Sequence, residues 1–254
     1  MVDAAQIETL LRERTRFAQC HFEASCPSTQ DLASAKHPDS AGAPPDAVFW
    51  TDHQTRGRGR QHREWHDEPG ADLAVTFRFS AALPSPLGLP AATPVAVTEA
   101  CEGFAGRPLR IKWPNDVFLD GRKLAGVLID AGVGSPTTYL IGVGINCNRV
   151  RFPPDLEPIA TSLCLSTGRV IDRHALLVEL AVQIDRMLTD LQQANTAHLE
   201  RVFRHRLGLV GREVEVVANT TLRGTLTDLD FAHLVLDRDV VLPLGVVRSV
   251  RAVN

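Results

Sequence analysis

The apolar residues of the chain follow two periods. Residues 3–16 place Ile7, Leu10 and Leu11 on one face, the mark of a short amphipathic helix. Residues 17–24 read as strand-like. Ser28-Thr29-Gln30-Asp31 then opens a helix over 31–36, capped by Ser28 or Thr29. Residues 37–45 carry loop chemistry, 47–50 a short buried strand, and 73–79 an alternating strand. After a proline-rich loop at 83–90, residues 93–104 predict a helix with Thr93 as cap and Pro94 in its first position. Two apolar segments, 109–113 and 117–119, are split by Pro114-Asn115-Asp116, and Pro114 disfavours helix at Trp113. Asp120-Gly121 turns the chain into a further strand at 124–130. Residues 138–145 are continuously apolar, as in a central strand, although Gly142 and Gly144 weaken it unless something approaches closely there.

Residues 149–162 form a proline-rich loop, with Thr161-Ser162-Leu163 capping a short helical turn. Asp172 starts a long helix through 192, and a second helix covers 197–206. From Gly211 the period shortens to two, with strands at 213–217, 222–229, 233–236, 240–244 and 246–250. That change predicts a small five-stranded barrel beyond a boundary near Leu207. The expected class is α+β: residues 1–206 form a mixed-sheet domain flanked by helices, and 207–254 a β module.

A 254-residue chain with 44% hydrophobic residues can bury an ordinary core. Its net charge of -3 supplies no global attraction to DNA or an anionic membrane. The five cysteines are odd in number and form no CxxC pair, so reduced thiols in a cytoplasmic protein are expected. No apolar run reaches membrane-spanning length. Residues 1–16 are too few for a DNA-binding helix-turn-helix domain.

Candidate chemistry sits at the strand ends. Lys112, Asp116 and Lys123 flank turns, where they suit an anionic ligand with an accompanying metal ion, or are ordinary surface charges. Arg56, Arg58, Arg60 and Arg63 alternate with Gly57 and Gly59 ahead of Trp65. Such a run buries no apolar face and is expected to be mobile when empty, closing over its ligand. The competing reading is an RNA-binding arginine-glycine tract. Asn146 offers both a donor and an acceptor after the central strand, as purine reading needs, and is also an ordinary turn residue. His53, His62 and His66 fit no zinc spacing.

In order and spacing, QTRGRGRQHREW, KWPNDVFLDGRKLAGVLID and IGVGINCN, followed by helices and a β module, resemble the biotin protein ligases, that is, the biotin–[acetyl-CoA-carboxylase] ligases. The resemblance implies an α+β catalytic domain with a C-terminal SH3-like barrel, lacking the DNA-binding domain of some relatives. It implies activation of biotin by ATP, with Mg2+, to biotinyl-5′-AMP, and transfer to a lysine of a biotin carboxyl carrier protein. Catalytic roles pass by this likeness to Lys112, Asp116, Lys123 and Arg58. Biotin contacts pass to Ser28, Thr29, Gln54, Gly57, Arg58, Arg60 and Lys123. Contacts with ATP or the adenylate pass to Arg58, Arg60, Arg63, Trp65, Lys112, Asn115, Asp116 and Asn146, with Asp116 the candidate for Mg2+. A homodimer is compatible with the family; neither DNA nor a membrane is an expected partner. Gln30, His62 and His66 depart from the family pattern; a Cβ at His62, where glycine is usual, restricts φ and bears on loop closure and adenylate retention. The alternatives are a lipoate ligase or octanoyltransferase, or a non-catalytic protein binding biotin or nucleotide.

Overall fold

The computed structural model describes residues 4–35, 44–132 and 136–253. The predicted helix end at Lys36 and most of the 37–45 loop lie outside the described residues. Seven strands form one sheet in the order β1-β2-β3-β7-β6-β5-β4: β1 (Gln19–Glu23), β2 (Ala47–Thr51), β3 (Leu73–Ala81), β4 (Arg110–Lys112), β5 (Asp116–Leu119), β6 (Arg122–Ala131) and β7 (Thr137–Ile145). β1 and β2 run parallel and the other neighbours antiparallel, so the sheet is mixed.

Alternation assigns the two faces. Val75, Phe77, Val127, Val143 and Ile141 point to one side, where α1 (Ala4–Arg14), α3 (Leu89–Ala105) and α5 (Arg173–Gln192) bury them in the main core. The other face carries Thr76, Arg78, Gly142, Gly144 and Gly126, and among the described helices only the short α2 (Thr29–Ala35) lies on it, over Ala47 and Phe49. That thinly covered face is the one left for a ligand.

Two helix starts show what local signals decide. Asp172 caps α5 as predicted: its Oδ1 accepts from the backbone N–H groups of His174 and Ala175, at 3.0 and 3.1 Å. α3 begins at Leu89, one turn before the predicted start. Pro90 occupies its first turn, where no N–H is needed, and Pro94 lies inside the helix. Thr93 is no cap, because its hydroxyl donates to the Leu89 carbonyl at 2.8 Å.

α4 (Leu163–Thr167), capped by Ser162, and α6 (Ala197–Leu207) lead into a second, antiparallel sheet. Its order is β11 (Val240–Pro243), β10 (His233–Leu236), β9 (Thr221–Leu229), β8 (Glu213–Val217), β12 (Ser249–Ala252). A one-turn helix at Leu244–Val246 replaces the start of the predicted fifth strand. The core runs without interruption into this module: Phe203 packs between Trp113 and Phe231, with both ring-centroid separations 6.0 Å.

Candidate active site

Pairing register sets out the site. Thr51, Ala74, Gly144, Gly126 and Asp116 lie side by side across five strands on the thinly covered face, and Lys112 pairs with Asp116 at the sheet edge. The middle of this row has almost no side chains, so it forms a trough. Simple alternation would put Lys123 on the opposite face from Gly126. A bulge between β5 and β6 shifts the register by one residue and returns it to the trough side. A Cβ added at Gly126 would lie 3.2 Å from Lys123 Nζ. Lys123 Nζ pairs with Asp116 Oδ1 at 2.7 Å and stands 5.7 Å from the Trp65 ring centroid.

The arginine-glycine run is a hairpin rather than an irregular segment. Trp65 N–H donates to the Gly57 carbonyl at 3.0 Å, Gly59 N–H to the Arg63 carbonyl at 2.8 Å, and Arg58 bridges Glu64. Its strands approach so closely that a Cβ at Gly57 would sit 2.3 Å from the Trp65 carbonyl oxygen. The tip is one 3-10 turn, Arg60–His62, in which the positive φ (56°) falls on Gln61. His62 itself keeps helical backbone angles, which a residue with a Cβ adopts freely.

The hairpin lays Trp65 on the trough, with Cε2 2.4 Å from where a Gly144 Cβ would be. Gln30 covers the next glycine, Gly142, and its Nε2 donates to the Leu128 carbonyl at 3.3 Å. The close approach demanded by two glycines in a central strand is thus made by two side chains. Thr29, at the start of α2, donates to Gln54 Oε1 through its N–H (3.0 Å) and hydroxyl (3.3 Å), and accepts from Thr76 Oγ1 at 2.9 Å. Ser28 is buried beside it, its Oγ accepting from Gln30 N–H. Two buried polar atoms of this wall, Trp65 Nε1 and Gln30 Oε1, have no hydrogen-bond partner.

Behind the hairpin is a cavity of about 850 Å³. Gly57, Arg58, Arg60, Arg63 and Asn115 line it, together with Val127 to Ile129, the start of α3, and Leu244, Gly245 and Val247 of the C-terminal module. Arg60 Nη1 donates to Asn115 Oδ1 at 3.1 Å, and Asn115 Nδ2 in turn donates to the Val127 carbonyl. Arg58 turns outward to Asp31 (3.2 Å) and Asp130 (3.0 Å), which ties the hairpin to α2 and β6.

The predicted site residues therefore fall into two groups. Ser28, Thr29, Gln54, Trp65, Asp116 and Lys123 surround the trough, whereas Gly57, Arg58, Arg60, Arg63 and Asn115 line the cavity. Lys112, Asp116 and Lys123 do not line the cavity, and neither does Trp65, which lies on the trough. Lys112 Nζ lies 5.1 Å from the Phe118 ring centroid on the trough side. Asn146 is buried, and its Nδ2 donates to the carbonyls of Thr161 (2.9 Å) and Lys123 (3.4 Å), which makes it a clamp under Lys123. Sequence reasoning passed over Thr76, Asp31, Asp130 and Asp72. Thr76 was readable as a polar position on the second face of β3; the acidic residues carry no local signal.

Among the described residues no group of three or more His, Cys, Asp or Glu could hold a metal ion. His53 Nδ1 lies 3.2 Å from Asp67 Oδ2, and His66 Nε2 3.9 Å from Glu64. No described helix is long and apolar enough to cross a membrane.

Residues 23–146 match the model of the Biotin/lipoate A/B protein ligase family. A biotin–[acetyl-CoA-carboxylase] ligase of Mycobacterium tuberculosis is 32% identical over 225 residues, covering 84% of this chain and 82% of that one. The bifunctional ligase/repressor BirA of Bacillus subtilis is 34% identical over 154 residues, 58% of this chain, so the match spans about half (47%) of that relative's length. Among solved structures, the biotin protein ligase from Aquifex aeolicus in complex with biotin and ATP superposes with a TM-score of 0.78 at 25% identity, covering 93% of this chain and all of that one.

Proposed function

The chain belongs to the Biotin/lipoate A/B protein ligase family, and on that premise we propose that it is an ATP-dependent biotin protein ligase. The observation that carries this reading is the trough. A glycine floor has a lysine ammonium at one end and partnerless buried polar atoms along its wall. Such a floor, on which the Trp65 indole and the Gln30 amide already lie as walls, suits a flat, largely apolar acid with a polar ring head bound beside them. The arginine-lined cavity beside it suits a nucleotide.

In the proposed reaction the biotin carboxylate, oriented by Lys123, attacks the α-phosphorus of ATP. The bond to pyrophosphate breaks and biotinyl-5′-AMP forms. Arg60 and Arg63 face the phosphate charge, and catalysis is positioning plus charge neutralisation. Next, the amine of a carrier-protein lysine attacks the acyl carbon. The bond to AMP breaks, an amide forms, and Asp116 takes the proton from the amine. Asp116 is a single carboxylate, which suits a Mg2+ ion borne by the nucleotide phosphates rather than a resident metal. When bound, that ion offsets the charge of the leaving pyrophosphate. The hairpin, with Trp65 as its seal, keeps water from the mixed anhydride. Use of ATP and five free cysteines fit a cytoplasmic site of action. We assign residues 207–254 to a separate module that completes the cavity through Leu244, Gly245 and Val247.

The test is incubation with biotin, MgATP and the carrier domain of a biotin-dependent carboxylase, read by intact mass. A carrier with one added biotinyl group on its lysine is expected; an unmodified carrier, with biotin and ATP unconsumed, would refute the reading.

A further inference from the structure

Trp65 and Lys123 are far apart in sequence, yet both are tied to the two residues of one buried ion pair. Asp72 and Arg149 are 2% and 3% exposed. Arg149 donates to Asp72 Oδ2 from Nε at 3.0 Å and from Nη2 at 2.6 Å. Nη2 also donates to the carbonyl of His66, the residue after Trp65, at 2.7 Å. Asp72 Oδ2 accepts from Glu68 N–H at 2.9 Å and Oδ1 from Cys147 N–H at 3.2 Å. The exit of the hairpin is thereby pinned to the end of β7.

The same arginine reaches Lys123 by a second route. Its carbonyl accepts from Ser162 Oγ at 2.6 Å, anchoring the segment that grips the lysine backbone. Lys123 N–H donates to the Ile159 carbonyl at 2.8 Å, and Thr161 N–H donates to the Lys123 carbonyl at 2.9 Å. Asn146, one residue before Cys147, donates to Thr161 and Lys123 from below. Phe152 packs on the guanidinium at 4.9 Å.

We infer that Asp72 and Arg149 are a positioning pair for the reaction, holding Trp65 and Lys123 in register so that the acyl-adenylate is retained until the acceptor amine arrives. Neither residue lines the trough or the cavity. A buried pair adds little net stability over an apolar substitute, whereas its fixed fork supplies geometry. Lysine cannot supply that fork, since a single ammonium replaces the planar set of donors that meets both Asp72 and His66.

The inference rests on the ligase reading and predicts a defect in coupling rather than in folding. In Arg149→Lys, pyrophosphate released per biotin transferred should rise several-fold above the wild-type ratio, because adenylate escapes and hydrolyses. A purely structural role would lower both quantities together and leave the ratio unchanged. Should circular dichroism show Arg149→Lys unfolded, the neutral pair Asp72→Asn/Arg149→Gln carries the same measurement. An unchanged ratio in a folded variant, with wild type active, overturns the inference alone. Wild-type protein that releases no biotin-dependent pyrophosphate overturns the ligase reading and this inference with it.

Discussion

Gly144→Ala is the most direct probe of the trough. An added Cβ would lie 2.4, 2.6 and 2.8 Å from Trp65 Cε2, Cζ2 and Nε1, closer than a real Cβ can approach. Gly144 is paired to Ala74 on one side and Gly126 on the other, so the strand cannot retreat and the indole must move. Overpacking of this kind costs about 1–3 kcal/mol. Trp65 is only partly buried, so it can swing outward and the fold need not absorb that cost. The loss should then fall on ligand closure, weakening biotin binding by about 5- to 150-fold at ~1.4 kcal/mol per decade. Gly142→Ala should be milder, because the nearest atom is Gln30 Cδ at 3.2 Å, on a side chain able to shift. Gly103→Ala in α3 is the control: its Cβ meets nothing within 4 Å, and helix propensity should raise stability by about 1 kcal/mol. Titration calorimetry with biotin, paired with indole fluorescence, reads all three. If Gly144→Ala binds biotin within about twofold of wild type while the indole stays unshifted, the steric argument, built on a clash of the overpacking class, is wrong.

Other perturbations separate chemistry from stability. Lys123→Ala should slow biotin-dependent pyrophosphate release by about 10²-fold or more, while stability shifts by less than about 1 kcal/mol, because the side chain is 34% exposed and its pair with Asp116 is partly solvated. Burial, the largest influence, pushes the Asp72 carboxyl up to about 6 against the opposing pull of Arg149. The folded state therefore holds a proton that the unfolded chain releases near 3.8, so this group's contribution is full below that value and is lost as pH rises to about 6. The stability of wild type relative to Asp72→Asn should accordingly decline across that window, and a difference that grows with pH would contradict the assignment. Phe203→Ala, at a side chain 1% exposed between Trp113 and Phe231, should cost about 3–5 kcal/mol and retain a single calorimetric transition. Two resolved transitions would mean that residues 207–254 melt on their own.

The elements legible in the sequence were those with a local cause. α5 is written in an aspartate cap and an unbroken leucine stripe, and both ends of the prediction hold. β7 is written in a continuous apolar run. The start of α3 departs from the expectation because proline has two meanings: Pro84 marks a loop, while Pro86 opens a 3-10 turn and Pro90 occupies a helical first turn. Composition does not distinguish them; burial of Leu89 against the core does. The arginine-glycine run posed a similar problem. Charge and glycine content argue for an irregular segment, and only the carbonyls of Gly57 and Arg63, meeting donors across the turn, make it a hairpin.

The site was legible as a set of residues and illegible as an arrangement. Lys112, Asp116 and Lys123 are close in sequence, so a shared pocket follows readily from their spacing. Which side of the sheet Lys123 occupies depends on one inserted residue in β6, and no propensity marks a bulge there. Positions that look equivalent on paper are separated by the hairpin itself, which puts the arginines on the cavity side and the lysine on the trough side. The ion pair beneath them joins residues 72 and 149, 77 positions apart, and an Asp at the head of a strand has no local feature to announce such a partner. Charge pairs of that kind follow from the completed fold, because burial leaves each charge needing the other. Their function therefore becomes readable only once Trp65 and Lys123 are seen to hang from the same residue, one through the Arg149 guanidinium and the His66 carbonyl, the other through the Arg149 backbone carbonyl and Ser162.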